Sequence, residues 1–136
     1  REVLDRQLEA PRLAAALEAR RETPYAWGTN DCAIFAADMV MAATGHDLAA
    51  PFRGRYRTQA GSRRILKALG WADVEAMADT LLPRRFERPR RGDVVLYDGA
   101  DGPFLGIVWQ GGVIGPGPQR PIIWPPSGIL ACWSVG

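Results

Sequence analysis

The stretch PYAWGTNDCAIFAADMV, residues 24–40, decides how this chain folds. Asn30 and Asp31 both carry short side chains that accept the free amides of a helix start, and one of them caps the run that follows. Within that run Cys32, Phe35, Ala36, Met39, Val40 and Ala43 recur at the i, i+3, i+4, i+7 spacing of one buried stripe, and Gly45 stops it. A helix therefore opens on a cysteine. Whether that thiol does chemistry depends on a base, and the whole sequence holds one histidine, His46.

Working outward toward the N-terminus, Leu13 and Leu17 with Ala14 and Ala15 predict a short amphipathic helix after Pro11, over residues 12–21. Residues 1–23 read as a helical extension of one domain spanning 1–136. In the other direction, Thr58 caps a third helix with Ile65, Leu66 and Leu69, ended by Gly70. Asp73 caps a fourth, with Val74, Met77, Ala78 and Leu81 as its stripe and Pro83 beyond it. From Asp93 the period changes. DVVLY (93–97) reads as a strand, DGADG (98–102) as a turn and FLGIVW (104–109) as a second strand, and QGG allows a hairpin into VIG. The prolines of GPGPQRPIIWPPSG (115–128) limit it to an ordered loop with an edge strand at Ile122–Trp124, and ILACWSV closes the sheet. Helices followed by a small antiparallel β-sheet make an α+β domain, with the Cys32 helix packed on the sheet.

Composition narrows the class. In 136 residues, 47% are hydrophobic and 24% charged, the balance of a globular domain rather than a disordered one. No apolar run approaches the roughly 20 residues of a membrane span, so no membrane partner is expected. The first residues lack the apolar centre of a secretory signal, so nothing in the chain directs export and synthesis in a reducing cytoplasm is the default. Cys32 and Cys132 are too few and too far apart for a disulfide framework or a zinc site, and neither a metal nor another cofactor is expected. Arginines cluster at 53–57, 63–64 and 84–91, but acidic residues are interspersed along the chain and the net charge is only +2. A solvated face or a protein interface is the simpler reading, and nucleic acid ranks last because no reading motif accompanies the charges.

The order of motifs resembles the papain-like fold in its compact bacterial form, the NlpC-type cell-wall peptidases. Those proteins carry a tyrosine, then Trp-Gly, then an Asp-Cys pair opening a helix, matched here by Tyr25, Trp27-Gly28 and Asp31-Cys32. A Gly-Asp before an apolar strand is matched by Gly92-Asp93, and a His-Val-Gly-Ile hairpin by FLGIVWQGG. More narrowly, WGTNDC, TGHD, RGRY, RGD, LGI and CWSVG look like a small phage and prophage branch encoded among tail genes, without a settled activity. The resemblance implies a papain-like core with Cys32 at the nucleophile position. It places Phe104 where the histidine base belongs and Gly115 at the third, orienting position. Two of three catalytic roles are thereby vacant.

His46 does not fill the gap. It stands beyond a helix that separates its ends by roughly 20 Å, whereas a general base must come within about 3 Å of the proton it takes. The helix N-terminus favours thiolate at Cys32, and adjacent Asp31 opposes it. Cys32 thus reads either as an inert packed thiol or as a nucleophile with a borrowed base. His46 and Asp47 read as a loop hydrogen-bond pair, or as half of a metal site. Asp38 reads as solvent-facing or paired with an arginine. Trp124, between prolines, reads as edge packing or as a partner contact, and the RGD at 91–93 as the turn that feeds a strand.

The resemblance then implies a structural or assembly component of a phage tail tip or baseplate. Such a protein is made in the host cytoplasm and carried in the virion, and it touches other tail proteins such as a hub or distal tail protein. Tyr25, Trp27, Asp31 and Trp124 are its candidate binding residues. The alternative is an active cysteine peptidase or amidase that cuts host peptidoglycan during entry, with its base supplied by an unusual residue or a neighbouring subunit.

Overall fold

The computed structural model describes residues 3–135, with side chains from Gln7 onward; Arg1 and Glu2 of the expected N-terminal extension, and Gly136, lie outside it. Four helices come first, α1 (Val3–Ala19), α2 (Cys32–Thr44), α3 (Gln59–Ala68) and α4 (Val74–Leu81). Five strands follow, β1 (Val94–Gly99), β2 (Gly102–Trp109), β3 (Gly112–Gly115), β4 (Ile122–Trp124) and β5 (Ile129–Trp133). They form one antiparallel sheet in the order β4-β3-β2-β1-β5, so the fold is α+β as the change of period predicts.

Local chemistry sets most boundaries. Asp31, Thr58 and Asp73 each accept the amide three residues on, from Ile34, Gly61 and Ala76, and so cap α2, α3 and α4. Gly45 ends α2 in the left-handed conformation, with its amide bonded to the Met41 carbonyl. Gly99 pairs with Gly102 across a two-residue turn, which makes β2 longer than the sequence suggests.

Two expectations are corrected. The first helix does not wait for Pro11 but runs from Val3 through it to Ala19. Proline costs one internal hydrogen bond, and strong helix formers on both sides, with Leu13 and Leu17 buried at 3% and 7% exposure, hold the helix together. The stripe on α2 is also too narrow, because Ala33, Ile34, Ala37 and Asp38 are buried as well. The helix is enclosed by α1 on one side and the sheet on the other, so nearly every face is inside.

The sheet buries both of its faces. Toward the helices, Val94, Leu96, Leu105, Ile107, Ile114 and Trp133 meet Phe35, Met39 and the rest of α2 in the main core. On the far face Val95, Tyr97, Val113 and Cys132 form a second cluster, joined by Phe104, Val108, Trp124 and Ile129. Alternation along β2 therefore sends Leu105 and Ile107 to the helices and Phe104 and Val108 away from them. At one border β4 is three residues long, flanked by Pro121 and Pro125.

Candidate functional site

Asp31 organises the entrance to α2. Only 1% exposed, its carboxylate accepts the Ile34 amide at 3.0 Å, the Gly28 amide at 2.8 Å and the Tyr56 hydroxyl at 2.6 Å. The Gly28 position demands glycine. Its φ is +86°, and a Cβ there would lie 1.9 Å from the Tyr56 carbonyl oxygen. The WG-x-x-D motif thus exists to bring a tight turn against the Tyr56 loop and to aim one carboxylate at three donors. Asn30, the other cap candidate, does not cap α2. Its amide group donates to the Pro24 carbonyl and its oxygen accepts from Arg20, while Asp31 alone caps the helix.

Cys32 follows at the first turn of α2, packed against the helix-facing core. The Leu105 amide of β2 is directed at its sulfur, and the Cys32 amide at the Tyr25 hydroxyl. Tyr25 is anchored in turn, through its own amide bonded to the Gly117 carbonyl at 2.8 Å just past β3 and through edge-on packing with Trp27 at 5.1 Å. Burial pushes the Cys32 thiol up to about 11, with the Asp31 charge adding to the rise, and the Leu105 and helix-start amides only partly oppose this. At neutral pH the group is a thiol. Burial also raises the Tyr25 and Tyr56 hydroxyls, helped by the charges around Asp31, so both remain protonated. Beside Cys32 lies a cleft of about 30 Å³ lined by Trp27, Phe52, Tyr56, Ser62, Leu66 and Val74.

The remaining positions do not join this group. Phe104 projects from the opposite face of β2, where its ring packs 4.8 Å from Trp124 and 5.4 Å from Tyr97. Gly115 faces the same side, and a Cβ on it would meet the Trp124 ring at 3.2 Å. Trp124 closes over both positions that the resemblance gives to a base and its orienter. It packs at the sheet edge within an aromatic cluster, and the bond from the Tyr97 hydroxyl to the Pro125 carbonyl ties its loop down at 2.7 Å. Cys32 and Phe104 are separated by the sheet itself.

His46 is exposed and lies just past the far end of α2, its backbone amide bonded to the Thr44 hydroxyl oxygen. Asp47 turns elsewhere, to the Ala49 amide at 3.0 Å and to Arg53 at 2.7 Å, and that guanidinium holds its carboxyl below the usual carboxylate range. The expected His46–Asp47 pair gives way to an ion pair. Asp38, 8% exposed, is paired rather than solvent-facing: Arg20 and Arg53 both reach it, the latter at 2.7 Å. A chain Arg20–Asp38–Arg53–Asp47 thus ties the end of α1, the middle of α2 and the loop after it.

Sequence reasoning missed Tyr56 and Asp93. Tyr56 stands in the RGRY loop, twenty-five positions from the carboxylate it bonds, and only its aromatic-plus-hydroxyl character hinted at a buried polar end. Asp93, of the RGD, feeds the strand as expected and is itself buried, accepting from Arg85 and the Arg90 amide at 2.8 Å and from the Cys132 thiol at 3.4 Å. That thiol is pushed up to about 12, first by burial and then by the Asp93 charge. Both cysteines are free, with Cys132 in the far cluster and Cys32 toward the helices. Among the described residues no group of three or more His, Cys, Asp or Glu could hold a metal ion. No helix among them is long and apolar enough to cross a membrane.

A family model described as Domain of unknown function (DUF6950) matches residues 6–135. No curated protein matches the chain.

Proposed function

The chain belongs to the DUF6950 family, and from the order of its own motifs we propose that it is a papain-like domain of the NlpC type that has kept its scaffold and lost its chemistry, serving as an assembly component of a phage tail tip or baseplate. One observation carries the inert reading. The Cys32 thiol, raised to about 11, faces amides and tyrosines, while the position that should supply an imidazole projects from the other side of the sheet. Thiolate chemistry at neutral pH needs a base at hydrogen-bond distance or a lowered thiol pKa, and this site has the opposite electrostatics. The tail role rests on the order of motifs from Tyr25 through the closing CWSVG.

The shell around Cys32 fits a structural duty. Asp31 joins the turn at Gly28, the start of α2 and the Tyr56 loop, while Cys32 packs with Leu105 in the core between helix and sheet. Alkylation of Cys32 followed against pH should have its midpoint near 11. Purified protein should leave peptidoglycan fragments intact over the same range. A midpoint at or below about 8.5, or turnover that disappears in Cys32→Ala, refutes the inert reading and favours the hydrolase. Capture of the chain in assembled tails, probed by cross-linking, tests the location.

A further inference from the structure

One segment of this protein carries positive charge with no acidic residue in it. Of 17 lysines and arginines, six fall within residues 48–72, which contain no acidic residue, leaving eleven cations against all fifteen acids in the rest of the chain. Arg53 is consumed by Asp38 and Asp47. The other five, Arg55, Arg57, Arg63, Arg64 and Lys67, are exposed and make no ion pair among the described residues.

Three of them share one face of α3, and Arg57 stands just before its start. Arg63 and Arg64 stand four and three positions before Lys67 on α3, so they share adjacent turns, while Gly61 and Leu66 turn inward. Arg57 precedes the Thr58 cap, and the Arg64 guanidinium lies back along the first turn, 3.8 Å from where a Gly61 Cβ would stand. Like charges at this spacing repel, and ordinary surfaces relieve that with interleaved carboxylates. Within residues 48–72 no carboxylate is interleaved. Tyr56, Ser62 and Leu66 of the same segment line the cleft beside Cys32, so the cationic face borders a small apolar recess.

We propose that this face docks an acidic segment of a partner protein, its carboxylates meeting Arg57, Arg63, Arg64 and Lys67. Four of the five cations are arginines, whose planar fork receives a carboxylate through two parallel bonds. A nucleic acid fits less well. It would extend past the patch over a remainder that is net negative, and a recess of about 30 Å³ admits no base. The inference does not depend on whether Cys32 is inert.

The test uses a fluorescein-labelled peptide of about a dozen alternating Glu and Ala residues, followed by anisotropy. Binding to the whole protein should be measurable in about 20 mM salt and weaken strongly by about 200 mM, as the Debye length falls from roughly 20 Å to roughly 7 Å. The variant Arg57→Gln/Arg63→Gln/Arg64→Gln/Lys67→Gln should lose at least about tenfold in affinity, equivalent to roughly 1.4 kcal/mol. Arg88→Gln/Arg90→Gln/Arg91→Gln, at the other exposed arginine cluster, should bind as the parent does. All seven side chains are on the surface, and circular dichroism verifies that both variants are folded. No binding at low salt, equal loss in both variants, or tighter binding of a DNA duplex or of anionic phosphatidylserine vesicles at the same salt overturns the proposal.

Discussion

Replacing Asp31 with alanine should cost about 3–5 kcal/mol of folding stability. The figure follows from three accepted hydrogen bonds, to the amides of Gly28 and Ile34 and to the Tyr56 hydroxyl, around a carboxylate that is 1% exposed. Losing the cap at Ile34 accounts for about 1 kcal/mol. The Gly28 amide and the Tyr56 hydroxyl are then left in a dry interior, at roughly 1–3 kcal/mol each, and water entering the vacated space recovers part of that. Asp73 provides the internal control, since it caps α4 in the same way but from the surface, and Asp73→Ala should cost only about 0.5–1 kcal/mol. Asp31→Asn keeps an acceptor and should fall between the two. Equilibrium urea unfolding, read by the fluorescence of the five tryptophans, measures all three. The Asp31→Ala midpoint temperature should drop by roughly 10–20 °C. If Asp31→Ala and Asp73→Ala cost the same, burial of the Asp31 cluster is not what holds the mouth of α2, and the reasoning fails.

Phe104→His should produce no hydrolysis, because the new ring would stand among Tyr97 and Trp124 on the face away from Cys32; its effect should be a loss of about 1–3 kcal/mol, and any Cys32-dependent cleavage contradicts it. Stability should fall with pH in the alkaline range. Burial holds both thiols protonated in the folded state, Cys32 to about 11 and Cys132 to about 12, above their ordinary value near 9. That contribution is whole below pH 9 and is lost as pH climbs through the folded values, by up to about 1.4 kcal/mol per unit for each thiol. Urea midpoints recorded from pH 8 to 11 should decline, less steeply in a Cys32→Ala/Cys132→Ala chain, and a flat profile refutes the assignment. Asp38→Ala should cost about 2–3 kcal/mol in the same assay, below the roughly 3–5 of a fully buried pair because Arg20 and Arg53 keep side-chain exposures of 25% and 34%; no measurable loss would make the pairing incidental.

Features set by neighbouring residues could be read directly. Asp31, Thr58 and Asp73 cap the helices they precede, Gly45 ends α2, and the Ile122–Trp124 border strand lies between its prolines, because each depends on chemistry within a few positions. Pairings made across the fold could not. Nothing local tells Asp38 that Arg20 and Arg53 will converge on it, or Asp31 that Tyr56 will arrive. The direction of Phe104 was hidden for another reason. Leu105, Ile107, Phe104 and Val108 are all apolar, and β2 is covered on both faces, so no polar alternation marked which side met the helices. Pro11 misled in the opposite sense, since the breaker lies inside a helix that packing on α2 sustains.

The stub of strand between Pro121 and Pro125 has a consequence for crowding. Neither imino nitrogen can donate, and three residues offer too brief a template for another backbone to add on. Molecules held side by side at high local density are thereby steered away from fusing their sheets into a continuous ribbon at this border. Neighbours that approach from there must engage through side chains, which keeps such contacts reversible and their geometry specified.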